Sequence, residues 1–322
     1  MITSDTLKLW ESVCPLIYWP KEQYPLFVGG GFLIRAKEIN VYYFIMTNHN
    51  LSRYIPSNMI PNEIEKVKNK RWIFADNLEF EPDELITMIP DLFIGFHEIH
   101  KSGSDLKTTK ILPQFIESIL FPKDFLDITG GTIDKNDFVI FKINFNQKLL
   151  DDEKEEIRNY YKNIIIDSCL EIFSPAALEM IITSYIKEEK FLSFTGFLED
   201  LNEYEITESI DKNLEGVVSL GLHYYTTIGK PIFFDKKLIE LDEDSLIDKQ
   251  SFKNKNKLNG LSGSPVFANP IISNDHLQET PTPCLVGMAI RETQIIYIHH
   301  IIDMILNKKL FELRNPNYLL FK

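Results

Sequence analysis

Apolar residues in the first 145 positions fall in short runs broken by turn-forming residues. That spacing predicts β-strands rather than helices. Gly29-Gly30-Gly31 leads into Phe32-Leu33-Ile34. Then follow Val41–Met46, Arg71–Phe74, Leu92–Phe96 and Phe138–Ile143. No helical period competes with these runs, so this half reads as a small antiparallel barrel.

The middle of the chain changes period. Ile157, Tyr160, Tyr161, Ile164 and Ile165 recur at helical spacing behind an acidic first turn, Asp151, Asp152 and Glu153. A second helix opens with Ser174 as N-cap and Pro175 at its first position. Its apolar stripe is Leu178, Ile181, Ile182 and Tyr185. Residues 150–208 are therefore expected to be a helical insertion. A packing or lid element is the preferred role for it, ahead of a module that binds a partner protein.

Strand patterning returns after residue 209. The candidates are Val217–Leu220, Pro231–Phe234, Pro265–Phe267, Leu285–Ala289 and Ile295–Ile298, with a short final helix from His300 to Leu306. The plan is mostly β with a helical insertion. It places an N-terminal β-barrel at 1–149, helices at 150–208, and a C-terminal β-barrel with a terminal helix at 209–322.

Composition narrows the function classes. The 322 residues are 44% hydrophobic, ample for a buried core. The 47 acidic residues outweigh 34 basic ones, a formal charge of -13. Such a chain has little to offer a phosphate backbone, so no nucleic-acid partner is expected. The start, Met1-Ile2-Thr3-Ser4-Asp5, lacks a signal-peptide pattern, and no apolar stretch reaches the roughly 20 residues that span a bilayer. Cys14, Cys169 and Cys284 are odd in number and far apart, without metal or disulfide spacing. They point to buried thiols in a reducing, cytoplasmic setting, with no membrane partner.

The candidate chemistry centres on Gly260-Leu261-Ser262-Gly263-Ser264-Pro265. A serine hydroxyl needs a base, a group that orients the base, and N–H donors for a developing oxyanion. Glycines on both sides of Ser262 permit a tight turn that exposes the hydroxyl. The segment resembles the Gly-x-Ser-Gly-Gly-Pro motif of the trypsin-like (chymotrypsin-fold) serine peptidases, with Ser264 in place of a glycine. Gly29–Ile34 followed by Phe44–His49 resembles that family's Gly-Ser-Gly-Phe strand and histidine strand. Leu285-Val286-Gly287-Met288 resembles the strand after the nucleophile. The resemblance covers both β regions and not residues 150–205. It implies two antiparallel β-barrels and peptide cleavage through an acyl-enzyme. It also implies Ser262 as nucleophile, with the N–H groups of Gly260 and Ser262 as the oxyanion hole.

The base and the acid carry alternatives. Many bacterial members read Thr-Asn-x-His, whereas here Thr47-Asn48 meets His49 directly and a gapless alignment puts Asn50 at the catalytic position. Either the strand is one residue shorter or the base is lost; His49 is preferred as base, because a histidine sits within one residue of the required place. Asp137, at the head of Asp-Phe-Val-Ile-Phe-Lys-Ile, is preferred as the orienting acid, and Asp91 before Leu92–Phe96 is the second fit. The order His, Asp, Ser agrees with the chymotrypsin order. The rival to a serine endopeptidase is a binding or scaffold protein that keeps the fold without the activity. An esterase on another fold fits less well, because its elbow wants glycine where Ser264 stands.

Other groupings are weaker. His97-Glu98-Ile99-His100 has the wrong spacing for a zinc helix, and His299-His300 reads as a strand end, so no metal and no cofactor are expected. The expected partner is a protein or peptide substrate. Lys253, Lys255 and Lys257 read as a solvated loop.

Overall fold

The structure is a computed structural model. It describes residues 12–18, 26–53, 92–95, 115–123, 134–146, 152–197, 203–207, 217–221, 224–246, 261–268, 283–291 and 293–315. Within these the chain is mostly β, arranged as two antiparallel sheets with few helices. The expected run Arg71–Phe74 lies outside the described residues.

The first sheet is built from β1 (Val13–Tyr18), β2 (Leu26–Arg35), β3 (Val41–Met46), β4 (Leu92–Ile94), β5 (Ile116–Pro122) and β6 (Val139–Asn144). A short helix, α1 (Asn48–Arg53), follows β3 at once. The helices α2 (Asp152–Ser168) and α3 (Pro175–Lys187) come next, with the two-residue β7 (Cys169–Leu170) between them. The second half supplies β8 (Leu192–Phe197), β9 (Glu203–Thr207), β10 (Val217–Gly221), β11 (Tyr224–Gly229) and β12 (Pro231–Phe234). It continues with β13 (Leu238–Leu241), β14 (Pro265–Ala268), β15 (Cys284–Arg291) and β16 (Gln294–Tyr297). Helix α4 (Ile298–Leu306) and β17 (Leu310–Arg314) end the described chain.

The first sheet runs β17-β5-β6-β3-β2-β1-β4, with β7 added parallel to β2. It is open: no pairing joins β17 to β4 among the described residues. The second runs β11-β8-β14-β15-β16-β13-β12. Its two edge strands, β11 and β12, are separated only by Lys230, so the ends of this path meet in the chain.

Two boundaries differ from the sequence expectation. Helix stops at Lys187, and Leu192–Phe197, placed in the insertion from sequence, is an inner strand between β11 and β14. Its Leu-Ser-Phe-Thr alternation carries the two-residue period of a strand. The chain turns out of α3 through Glu189 at φ 52, and that break has no glycine or proline to mark it. The second difference is β17, which leaves the C-terminal half and pairs with β5 of the first sheet.

The central strands β3 and β6 of the first sheet are largely buried on both faces, which explains their near-continuous apolar runs. Leu33, Tyr42, Phe44, Met46, Phe141 and Ile143 fill one cluster, covered by Ile165 of α2. Phe32, Ile34, Ile45 and Ile140 point the other way, into a cluster shared with Phe194, Val266, Met288 and Ile296 of the second sheet. Helix α3 adds Leu178, Ile182 and Tyr185 to that shared cluster. Each fully buried aliphatic side chain contributes about 1.5–3 kcal/mol relative to exposure. The shared cluster thereby holds the two sheets together, and the candidate site forms along their junction.

Candidate active site

Strands β3 and β6 are antiparallel neighbours with Met46 opposite Val139. The residues just beyond Met46 and just before Val139 must therefore lie side by side. That register brings His49 to Asp137 across 88 positions of sequence. The first N–H groups of a helix lack intrahelical acceptors. At the start of α1 Asp137 supplies two of them: its backbone carbonyl accepts from the Asn48 N–H at 3.4 Å, and its Oδ1 accepts from the His49 N–H at 3.0 Å.

Asp137 Oδ2 lies 2.5 Å from His49 Nδ1. The carboxylate is buried at 2% side-chain exposure, while the imidazole keeps 26%. A carboxylate only accepts, so the proton in this contact belongs to Nδ1. In the neutral ring that choice leaves the basic lone pair on Nε2. The sequence left open whether His49 or Asn50 faces Ser262; the His49 ring meets the acid, and the side chain that meets the serine turn is that of Asn50.

Asn50 has another task. It is buried, and its Nδ2 donates to the backbone carbonyl of Ser262 at 2.8 Å. Gly29 makes room for it, since a Cβ there would fall 2.5 Å from Asn50 Nδ2. Residues 49 and 50 thus tie together the acid of one strand and the serine turn from the other sheet.

Ser262 sits in a tight turn: the Ser264 N–H donates to Leu261 O at 3.0 Å. Gly263 stands at φ +93, where an L side chain is strained, and a Cβ on it would lie 2.0 Å from the Gly30 carbonyl oxygen. The turn is anchored on β15 through Gly263 N–H to Ala289 O at 2.7 Å and Ala289 N–H to Ser264 O at 2.9 Å. The N–H groups of Gly263 and Ser264 are thereby committed to structure and are not oxyanion donors. The half-buried Ser262 hydroxyl donates to the Ile290 carbonyl oxygen at 3.1 Å. A hydroxyl has one proton, so here it is directed at β15 and not at His49.

Several residues singled out from sequence lie outside the described residues: Gly260, Asp91, His97, Glu98, His100, Lys253, Lys255 and Lys257. His299 Nε2 meets Phe173 O at 2.8 Å, and His300 Nε2 meets Asn136 Oδ1 at 3.1 Å. No group of three metal-binding side chains occurs among the described residues. Burial disfavours the thiolate at all three cysteines: it pushes Cys14 up, Cys169 to about 12 and Cys284 to about 11. All three thiols are free. Sequence reasoning missed Asn50 as a brace and the bond from His300 to Asn136. A histidine in a helical first turn carried no local sign of either.

Compared with known proteins, the chain matches no family model and no curated protein. No helix among the described residues is long and apolar enough to cross a membrane.

Proposed function

We propose that the chain is a trypsin-like serine endopeptidase that cleaves peptide bonds by acyl transfer. The observation that carries this reading is the His49–Asp137 pair, with Nδ1 on the buried carboxylate and the ring partly exposed, next in sequence to Asn50, whose side chain meets the serine turn. In the proposed reaction Ser262 Oγ bonds to the scissile carbonyl carbon as its proton passes to His49 Nε2. The N–H groups of Gly260 and Ser262 hold the oxyanion. The C–N bond then breaks, and His49 returns the proton to the departing amine. Water, deprotonated by the same nitrogen, hydrolyses the acyl-enzyme. Asp137 holds the tautomer and balances the imidazolium.

The architecture supports the same reading. Two antiparallel sheets share one apolar core, and the β3–β6 register of the first brings the histidine to the acid. A protein or peptide is the proposed substrate. Three free cysteines favour a reducing, cytoplasmic setting.

A second reading has its own observation. With its hydroxyl proton on Ile290 O, Ser262 is not engaged with a base, as suits a trypsin-fold scaffold without activity. A serine-reactive fluorophosphonate separates the two. The peptidase takes the label at Ser262, cleaves members of a fluorogenic peptide library, and loses both in a folded Ser262→Ala variant. Absence of labelling and turnover in the wild-type protein leaves the scaffold.

A further inference from the structure

The Asp137 side chain meets His49 from a tight turn. Asp134–Asn136 form one turn of 3-10 helix, and the Phe138 N–H reaches back over Asp137 to the Asn136 carbonyl at 2.9 Å. Asn136 is itself buried, at 4% exposure. Its side-chain Oδ1 meets His300 Nε2 at 3.1 Å, across 164 positions of sequence. An amide oxygen only accepts, so Nε2 carries the proton of this bond. His300 lies in the first turn of α4, which packs against β15 and β16. Strand β15 also carries Ile290, the acceptor of the Ser262 hydroxyl. One terminal helix thus touches the turn that aims the acid and the strand that holds the serine.

We propose that His300 is a positioning residue, bracing the Asp134–Asn136 turn from helix α4 so that the Asp137 carboxylate meets both His49 donors. The inference deepens the peptidase reading and rests on it for its kinetic consequence. The physical reason is geometric. The two bonds from His49 tie Asp137 Oδ1 and Oδ2 in the direction of α1. A small rotation of the preceding turn would lengthen both together, and a misplacement near 1 Å can cost on the order of 100-fold in rate. Burial and the nearby Lys237, Lys135 and Lys309 cations keep the His300 ring neutral, against the opposing pull of Asp303. A neutral ring has a single N–H, which Asn136 takes.

The test uses the full chain and four substitutions. His300→Ala removes the donor, and His300→Gln supplies an amide donor in its place. His299→Ala removes a neighbouring bond of the same helix turn, to Phe173 O, as a control for helix packing. Two readouts are taken: kcat and KM on a peptide the wild type cleaves, and exchange of the His49 Nδ1 proton by NMR. His300→Ala is expected to lose roughly 10- to 100-fold in kcat at unchanged KM and to speed exchange of that proton. His300→Gln returns kcat to within about threefold of wild type, and His299→Ala leaves it unchanged. In an Asp137→Asn background His300→Ala adds no further loss, because the group it positions is gone. Full additivity in that background, or wild-type kcat and proton exchange in a folded His300→Ala protein, overturns the proposal. If the wild type neither turns over peptide nor takes fluorophosphonate, the peptidase reading fails by itself. The proton-exchange comparison then decides the brace: faster exchange in His300→Ala upholds it and unchanged exchange overturns it.

Discussion

Replacing Asp137 by asparagine tests the centre of the site with almost no change of shape. The carboxylate accepts from the His49 N–H at 3.0 Å and from Nδ1 at 2.5 Å. Asparagine keeps one acceptor and turns the other into a donor. If its oxygen stays on the backbone N–H, its NH2 faces Nδ1, which must then accept, and the ring proton moves to Nε2. The nitrogen that should take the serine proton is then already protonated. If the amide flips, two donors face each other at the backbone in a site with 2% side-chain exposure, where water cannot relieve them. The flipped arrangement keeps the tautomer but carries that cost, so the unflipped one is preferred, and it removes the base. A wrong tautomer costs ~10⁴-fold in kcat in the triad template, about 5 kcal/mol of barrier. Stability should fall by less, about 1–3 kcal/mol, for the weakened hydrogen bonds of a charged acceptor. The assay compares kcat and KM for one library-selected peptide, alongside thermal melting of both proteins. A folded Asp137→Asn enzyme with kcat within about tenfold of wild type would refute this account of the pair.

Two further predictions follow from single positions. Gly263→Ala puts a methyl 2.0 Å from the Gly30 carbonyl oxygen at φ +93, so it should lower stability by ~2–4 kcal/mol and abolish fluorophosphonate labelling; an unchanged Tm would show that the turn relaxes freely. His300 is held down to about 4, first by burial and then by the Lys237, Lys135 and Lys309 charges, with Asp303 opposing. The unfolded chain therefore binds the extra proton first. Stability is full above about pH 6.5 and falls as pH drops toward about 4, by ~1–2 kcal/mol after solvent screening of a half-buried ring. His300→Ala should flatten that part of the stability curve, and an unaltered pH dependence of chemical denaturation would contradict it.

Local physics made several features legible in the sequence. The Val41–Met46 and Phe138–Ile143 runs coincide with β3 and β6 nearly to the residue, because a strand buried on both faces must be apolar throughout. Helix α3 begins where Ser174 and Pro175 require it, with the Ser174 hydroxyl accepting from the Ala177 N–H at 3.3 Å. The serine turn was readable because only glycine suits the backbone at Gly263. Strand β8 was hidden because its Leu-Ser-Phe-Thr alternation follows the helix with no breaker between them. Strand β5 was hidden too, since Glu117 and Ser118 interrupt its apolar residues and a bulge shifts its register.

Tertiary structure alone decided which side chains of the site meet. Which of His49 and Asn50 meets the acid and which meets the serine turn depended on where α1 begins relative to β6. Both first-turn N–H groups find their acceptor on Asp137, a partner no window of sequence could contain. Asn50 reaches Ser262 across 212 positions and His300 reaches Asn136 across 164. These contacts arise where two sheets are pressed together by a shared apolar core. Propensity and periodicity act over a few residues and so specify the strands and the turn. Pair geometry at a junction is set by sheet register and packing, which exist only once the whole chain has folded.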